Sequence, residues 1–333
     1  MNSFNTILKV QIYGESHGAG IGVILDNVPP GIPLNEDDFT ADMSRRKGGQ
    51  RGGTPRVEAD IPELKSGVFN GHTTGAPLMI WIPNENTRSA DYEKQRDVFR
   101  PGHADFVAHI KYKGFEDFRG GGHFSARLTA GLVAAGVIAK KILNTVSFEA
   151  RVSEVAGQKD PEKGLELAIA AKDSVGGIVS CTIKGIPVGL GEPFWDSIES
   201  RLAHALFAIP AVKGIEFGAG FEAAKMFGTE HNDTYIDQYG STATNHAGGI
   251  IGGISNGNPI TFNIAIKPTA STPKNQTTYN HTTGALEDFS VKGRHDLCVA
   301  LRAPVIVEAM AALVMADLFF LSRSKKRDSN LTL

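Results

Sequence analysis

Residues 303–321 read APVIVEAMAALVMADLFFL, the most apolar stretch of the chain and long enough to raise the question of a membrane span. Two carboxylates, Glu308 and Asp317, interrupt it, and an ionised side chain in the middle of a bilayer is costly. The stretch is therefore expected to be a core helix, apolar on every side because protein covers every side. A second apolar helix is expected over residues 128–143. Arg127 opens it, as Arg302 opens the first.

Working outward, the order of elements repeats. Strands are expected at residues 7–13 and 20–25, followed by Val28-Pro29-Pro30-Gly31 and a helix capped by Asn35, with Glu36, Asp37 and Asp38 in the first turn where the helix dipole favours them. A strand at 178–183 is likewise followed by Ile186-Pro187-Val188-Gly189 and a helix over 196–207. Gly75-Ala76-Pro77 leads into a strand at 77–82, and Gly257-Asn258-Pro259 leads into one at 260–266. The repeat implies an α+β fold of two pseudo-equivalent halves, about 1–143 and 178–322, forming one domain (1–322) around one core, with a flexible polar tail at 323–333. Residues 144–177 read as a short connecting region in which Asp160-Pro161-Glu162 opens a helix.

The chain has 333 residues, enough for a full core, and its 41% hydrophobic and 21% charged residues mark an ordinary globular protein. Net charge is −2, whereas a nucleic-acid binder usually carries a broad basic excess. Cys181 and Cys298 are too few for a disulfide framework or a structural zinc site and read as buried thiols in a reducing compartment. The first residues show no secretory pattern, so the expected location is cytoplasmic, without a membrane or nucleic-acid partner.

Positive charge is concentrated in residues 43–60, MSRRKGGQRGGTPRVEAD, where Arg45, Arg46, Lys47, Arg51 and Arg56 lie among paired glycines. Glycine lets backbone N–H groups approach a ligand closely, and guanidiniums clamp phosphate or carboxylate in forked geometry. Such a run can also be a solvated face, or an RNA-binding Arg/Gly segment. Three glycine-flanked turns add titratable groups: Glu15-Ser16-His17, His103-Ala104-Asp105 and Arg294-His295-Asp296. Singly each is more often structural; together with Ser125 and Arg127 they suggest a site for proton transfer on an anion. No metal-ligand spacing, Walker loop or dinucleotide fingerprint occurs.

These motifs, in this order, resemble the chorismate synthase family: Gly14-Glu15-Ser16-His17-Gly18, residues 28–34, Arg45-Arg46, Ser66-Gly67-Val68-Phe69, Thr73-Thr74-Gly75, residues 100–105, residues 245–250, Lys267-Pro268-Thr269 and Gly293-Arg294-His295-Asp296. The resemblance implies a helix layer between antiparallel sheets, a homotetramer, and 1,4-anti elimination of phosphate from 5-enolpyruvylshikimate 3-phosphate. It implies reduced FMN, required but not consumed, with flavin N5 taking the substrate proton. His17 would protonate the departing phosphate, His103 would serve the reduced flavin, and Ser125 with Asp296 would form a relay. Arg46, Arg51, Arg127 and Arg294 would hold substrate. Arg100, His103, Ser125, Arg127, Asn245, Lys267, Thr269 and Arg294 would lie near the flavin. The flavin could be reduced with NADPH by the protein itself or by a separate flavin reductase; no further nucleotide motif argues for the former. After the triple glycine the chain reads His123-Phe124-Ser125-Ala126-Arg127-Leu128-Thr129, where the family usually has Arg-Ser-Ser-Ala-Arg-Glu-Thr. A paralogue that binds an anion or flavin but lacks the elimination is the alternative.

Overall fold

The two apolar stretches form the central pair of helices in the computed structural model, which describes residues 2–54, 58–85, 97–291 and 295–324. In chain order the helices are α1 (Thr40–Arg46), α2 (Asp105–Tyr112), α3 (Thr129–Ile142), α4 (Pro161–Ala171), α5 (Ile198–Leu206), α6 (Gly228–His231) and α7 (Ala303–Ser324). The strands are β1 (Ser3–Phe4), β2 (Lys9–Gly14), β3 (Gly20–Asp26), β4 (Glu63–Ser66), β5 (Val68–Phe69), β6 (His72–Thr73), β7 (Leu78–Pro83), β8 (Ser147–Val155), β9 (Gly177–Lys184), β10 (Val212–Phe217), β11 (Ile250–Ile251), β12 (Ile254–Ser255), β13 (Ile260–Ile266), β14 (Gln276–Asn280) and β15 (Ala285–Phe289).

Of the two large sheets one has the order β1-β2-β3-β7-β4 and the other β8-β9-β13-β10, antiparallel throughout, and β5-β6, β11-β12 and β14-β15 are separate two-stranded ribbons. Helix α3 packs on β3 and β7, α7 packs on β8 and β9, and the two helices pack on each other, so the helix layer lies between the sheets. Small residues allow that closeness. A Cβ added at Gly136 of α3 would fall 2.3 Å from the Ala309 Cβ of α7, and one at Gly131 would fall 3.0 Å from Val23 Cγ1 of β3. The alternating burial of β7 and β13, inward at Leu78, Ile80 and Ile82 and at Ile260, Phe262, Ile264 and Ile266, gives each sheet one apolar face toward this layer.

Residues 144–177 are more than the connecting region expected of them, because Ser147–Val155 is a full strand of the second sheet. Its signal was weak for a physical reason. Charged Glu149, Arg151 and Glu154 occupy its outer positions, and a register shift between Val152 and Glu154 breaks the alternation. The second set of strands therefore begins at Ser147 and not near residue 178. With that correction, β2-β3-β7-β4 and β8-β9-β13-β10 have the same order, and each set is followed by one of the two core helices.

The carboxylates of α7 are neutralised inside the fold. Glu308 takes both Arg45 guanidinium nitrogens (2.6 and 2.7 Å), Lys140 Nζ (3.0 Å) and the Ala150 N–H (3.0 Å). Asp317 accepts the N–H groups of Thr6, Ile7 and Leu8 (3.0, 2.7 and 2.8 Å) and Arg201 Nη2 (2.5 Å). Within the helix that is long and apolar enough to cross a membrane, the most apolar window is 78% buried by the rest of the protein. Asn35 caps the short 3-10 turn Glu36–Phe39 ahead of α1 as its sequence requires. Cys181 and Cys298 are buried free thiols, and burial pushes both up from their ordinary value.

Candidate active site

Loops at one end of the two sheets enclose a cleft of about 610 Å³, within the range of small-molecule sites. Its floor is cationic. Arg46, the last residue of α1, is 4% exposed and donates from Nη1 to Asp60 Oδ2 (3.1 Å), from Nε to Thr129 Oγ1 (3.0 Å) and from Nη2 to the carbonyls of Ala126 and Arg127 (3.0 and 3.2 Å). Arg127 Nη1 takes the other oxygen of Asp60, while its Nε and Nη2 reach Asn84 Oδ1 (3.0 Å) and the Pro83 carbonyl (3.2 Å). Asp60 is thus a shared counter-ion for two buried arginines. Burial alone would raise its carboxyl, but the two guanidiniums outweigh that and hold it below the usual carboxylate range. Burial pushes the Arg46 guanidinium down to about 9 against the pull of Asp60, with Arg302 and Arg127 adding to the fall, so it remains charged at neutral pH.

Asp296 ties the second core helix to this floor. It accepts the Thr54 N–H (2.8 Å) and Arg302 Nη2 (2.7 Å), and Arg302 Nη1 reaches the Arg46 carbonyl (3.5 Å). Lys267 and Thr269, which follow β13, also line the cleft. Burial and the neighbouring Lys213 hold the Lys267 ammonium below its ordinary value, and Thr269 Oγ1 is buried with no hydrogen-bond partner among the described residues.

The two histidines are seated by glycine. Gly120, Gly121 and Gly122 all have positive φ (59°, 83° and 53°), which side-chain-bearing residues rarely adopt. A Cβ at Gly120 would lie 2.2 Å from His17 Cε1, and one at Gly121 would lie 3.1 Å from His103 Cε1. The Gly122 carbonyl accepts the Ser16 N–H (3.1 Å), which locks the His17 turn to the triplet. His103 Nδ1 lies 2.6 Å from Asp105 Oδ1. Asp105 is held in turn by Arg100 through Nε (2.7 Å) and Nη2 (2.8 Å). Burial would raise the Asp105 carboxyl, but the hydrogen bonds and charges of Arg100 and His103 dominate and hold it well below the carboxylate range.

His103, Ser125, Asp296, Arg46, Arg100, Arg127, Lys267 and Thr269 all line the cleft. The His17 ring is 7% exposed and packs against Gly120, which itself lines the cleft. Ser125 Oγ accepts the Arg127 N–H (3.3 Å), and among the described residues no hydrogen bond joins it to Asp296. Arg51 lies outside the cleft lining, 56% exposed, with Nη1 on Glu162 (3.0 Å). Asn245 also lies outside it, donating to the Pro259 carbonyl (2.8 Å). Arg56 and Arg294 fall outside the described residues. Sequence reasoning gives Asp60 no role, names Asp105 only as part of a titratable turn and Arg302 only as the opening of a helix, and does not foresee their ion pairs. The available signal was an acid at the end of a run of five cations, an acid two residues from a histidine, and an arginine at the mouth of an apolar helix. His123 takes the Gly14 carbonyl (2.8 Å) and Asn2 Oδ1 (3.2 Å), and Leu128 is buried in the core.

A two-sheet α+β fold whose loops gather histidines, a serine, carboxylates and committed arginines in one cleft defines an enzyme acting on a small anionic molecule. The family profile described as chorismate synthase matches residues 8–320. The chain is 63% identical to a chorismate synthase of Chitinophaga pinensis over 98% of this chain and 99% of that one. It is 42% identical to a chorismate synthase of Dehalococcoides mccartyi over 95% and 96%. A crystal structure of a chorismate synthase shares the fold with a TM-score of 0.72 at 28% identity, covering 96% of this chain and 93% of the other. The chain belongs to the chorismate synthase family, whose members are lyases.

Proposed function

We propose that the protein converts 5-enolpyruvylshikimate 3-phosphate to chorismate by anti-1,4-elimination, the C3–O bond to phosphate and a C6–H bond breaking as the second ring double bond forms, with reduced FMN as cofactor and no net redox change. The observation that carries the proposal is the single cleft in which His103, Ser125 and Asp296 face a floor of arginines, in a chain of this family. The cleft residues fit a flavin: Thr269 Oγ1 needs a partner and Lys267 supplies a cation. His103, Ser125, Lys267 and Thr269 would hold it, with Arg100 and Arg127 fixing the walls. When bound, reduced flavin supplies electron density to the substrate as the phosphate leaves.

The chain's own residues orient and protonate. Arg46 and Arg127 are already committed to Asp60, Asn84 and backbone carbonyls, so they act on a substrate with one phosphate and two carboxylates as preorganised positive charge. His17, seated against Gly120, gives its proton to the departing phosphate, and His103 holds a proton at the flavin side of the cleft. Ser125 and Asp296 serve as the relay that the family motif implies. The fold is read as one domain of two pseudo-equivalent halves assembled into a cytoplasmic homotetramer, supplied with reduced flavin either by a separate reductase or by its own reduction with NADPH.

Under anaerobic conditions with chemically reduced FMN, phosphate release is expected to match chorismate formation. Folded protein that yields neither product refutes the activity. His103→Ala is expected to lower turnover by about 10²–10⁴, the range of a positioned proton-transfer group, while circular dichroism stays unchanged.

A further inference from the structure

His103 Nδ1 has two neighbours that cannot both be its hydrogen-bond partners. Asp105 Oδ1, an acceptor, lies at 2.6 Å, and Arg100 Nη2, a donor, lies at 3.1 Å. A bare Nδ1 would place its lone pair against a carboxylate oxygen at 2.6 Å. A protonated Nδ1 makes a charge-assisted hydrogen bond there instead. Arg100 Nη2 needs no lone pair from the ring, because it donates to the same Asp105 oxygen at 2.8 Å. Nε and one Nη1 proton are engaged as well, on Asp105 Oδ2 (2.7 Å) and Ser271 Oγ (3.2 Å). The backbone N–H of Arg100 also reaches Asp105 Oδ2 (3.2 Å), so the carboxylate is held on several sides before the ring meets it.

We infer that Asp105, itself clamped by Arg100, is a positioning residue that fixes His103 as the Nδ1–H tautomer, so that Nε2 is the atom that exchanges a proton in the cleft. The consequence for turnover rests on the elimination proposed above; the tautomer does not. Gly121 completes the arrangement, since a Cβ there would lie 3.3 Å from His103 Nε2 and crowd the atom left for chemistry. Ser271, just beyond Thr269 in the loop after β13, accepts from Arg100 Nη1, so the clamp also has a contact from a loop of the second sheet.

Long-range proton–nitrogen NMR on full-length protein labelled with ¹⁵N-histidine, with His103 assigned by the His103→Gln spectrum, reads the tautomer directly. Wild-type His103 is expected to carry its neutral-form proton on Nδ1. Asp105→Asn, whose amide oxygen can keep the Arg100 Nε and backbone N–H bonds made at Oδ2 while its NH₂ faces the ring in place of Oδ1, is expected to move that proton to Nε2. It should lower kcat on the order of tenfold with KM within about twofold, while Asp105→Glu recovers part of the loss. A wild-type ring with its proton on Nε2 overturns the inference, as does an Asp105→Asn ring that keeps it on Nδ1. If Asp105→Asn fails to fold, the wild-type spectrum alone decides. Full turnover in His103→Ala would instead refute the catalytic role of His103 and leave the tautomer to its own measurement.

Discussion

Arg45 and Arg46 are adjacent in sequence, yet they serve different parts of the molecule. One residue along a helix turns the side chain by about 100°. Arg45 therefore points to α7 and closes on Glu308, while Arg46 points to the cleft and closes on Asp60. Both pairs place a buried carboxylate between two cations, Arg45 and Lys140 in one case, Arg46 and Arg127 in the other. The Arg45 cluster joins α1, α3, α7 and β8 and holds the layers together; the Arg46 cluster underlies the space where an anion would lie. A run of cations in sequence thus shows that anions are nearby, but not whether they belong to the protein or to its ligand.

The largest effect expected from this contrast is at Glu308. Glu308→Ala leaves Arg45, Lys140 and the Ala150 N–H without their shared acceptor and should cost about 3–5 kcal/mol in urea unfolding. Turnover of the remaining folded enzyme should be unchanged; a loss of turnover would make the cluster part of the site. Next, Arg46→Lys keeps the charge but loses the fork, and kcat/KM should fall about 10- to 100-fold. The same swap at Arg45 should leave kcat/KM unaltered, and equal losses at the two positions would erase the distinction.

Acid should strip the architectural cluster in a defined direction. Glu308 is pushed up by burial, but Arg45, the Ala150 N–H and Lys140 more than offset this, so its carboxyl sits below its ordinary value in the folded protein. A depressed carboxylate contributes stability that is fully present above the unfolded value, about 4.3, and is lost as pH falls through the folded value. Unfolding free energy should therefore drop below about pH 4, and Glu308→Gln should flatten that part of the profile. A Glu308→Gln profile as steep as wild type would assign the acid sensitivity to other carboxylates. The smallest effect is expected at Arg51. Arg51→Ala removes an exposed pair with Glu162 and should change stability by less than about 1 kcal/mol. A tenfold rise in KM would show that the loop swings its guanidinium onto substrate.

Much of this is legible in the sequence. The two apolar helices, the Asn35 cap and the strands beside the Pro-x-Gly turns carry strong local signals, because periodicity and capping act over a few residues. The His103, Ser125 and Asp296 positions were legible through motif resemblance, and they do meet in one cleft. Strand β8 was not, since its outer face is charged and its register slips at Val152. Nor was the geometry of Arg51 and Asn245, whose positions relative to the cleft depend on how long loops fold back. Asp60 illustrates the same limit. Its chemistry is plain in sequence, but its two partners lie 14 and 67 residues away, and no local pattern reports them.

The contact of Asp317 with Thr6, Ile7 and Leu8 also imposes an order on the chain's birth. Three amides just before β2 receive their acceptor from a residue 309 to 311 positions later. The strands of the first sheet pair among themselves from Lys9 onward, whereas residues 6–8 have their side-chain acceptor only when the last helix is in place. The contact that closes the N-terminal segment onto the core is thus among the longest-range in the sequence. A protein truncated before Asp317 would leave those three amides without that acceptor, and protease cutting at the N-terminal segment would record how far the last helix had formed.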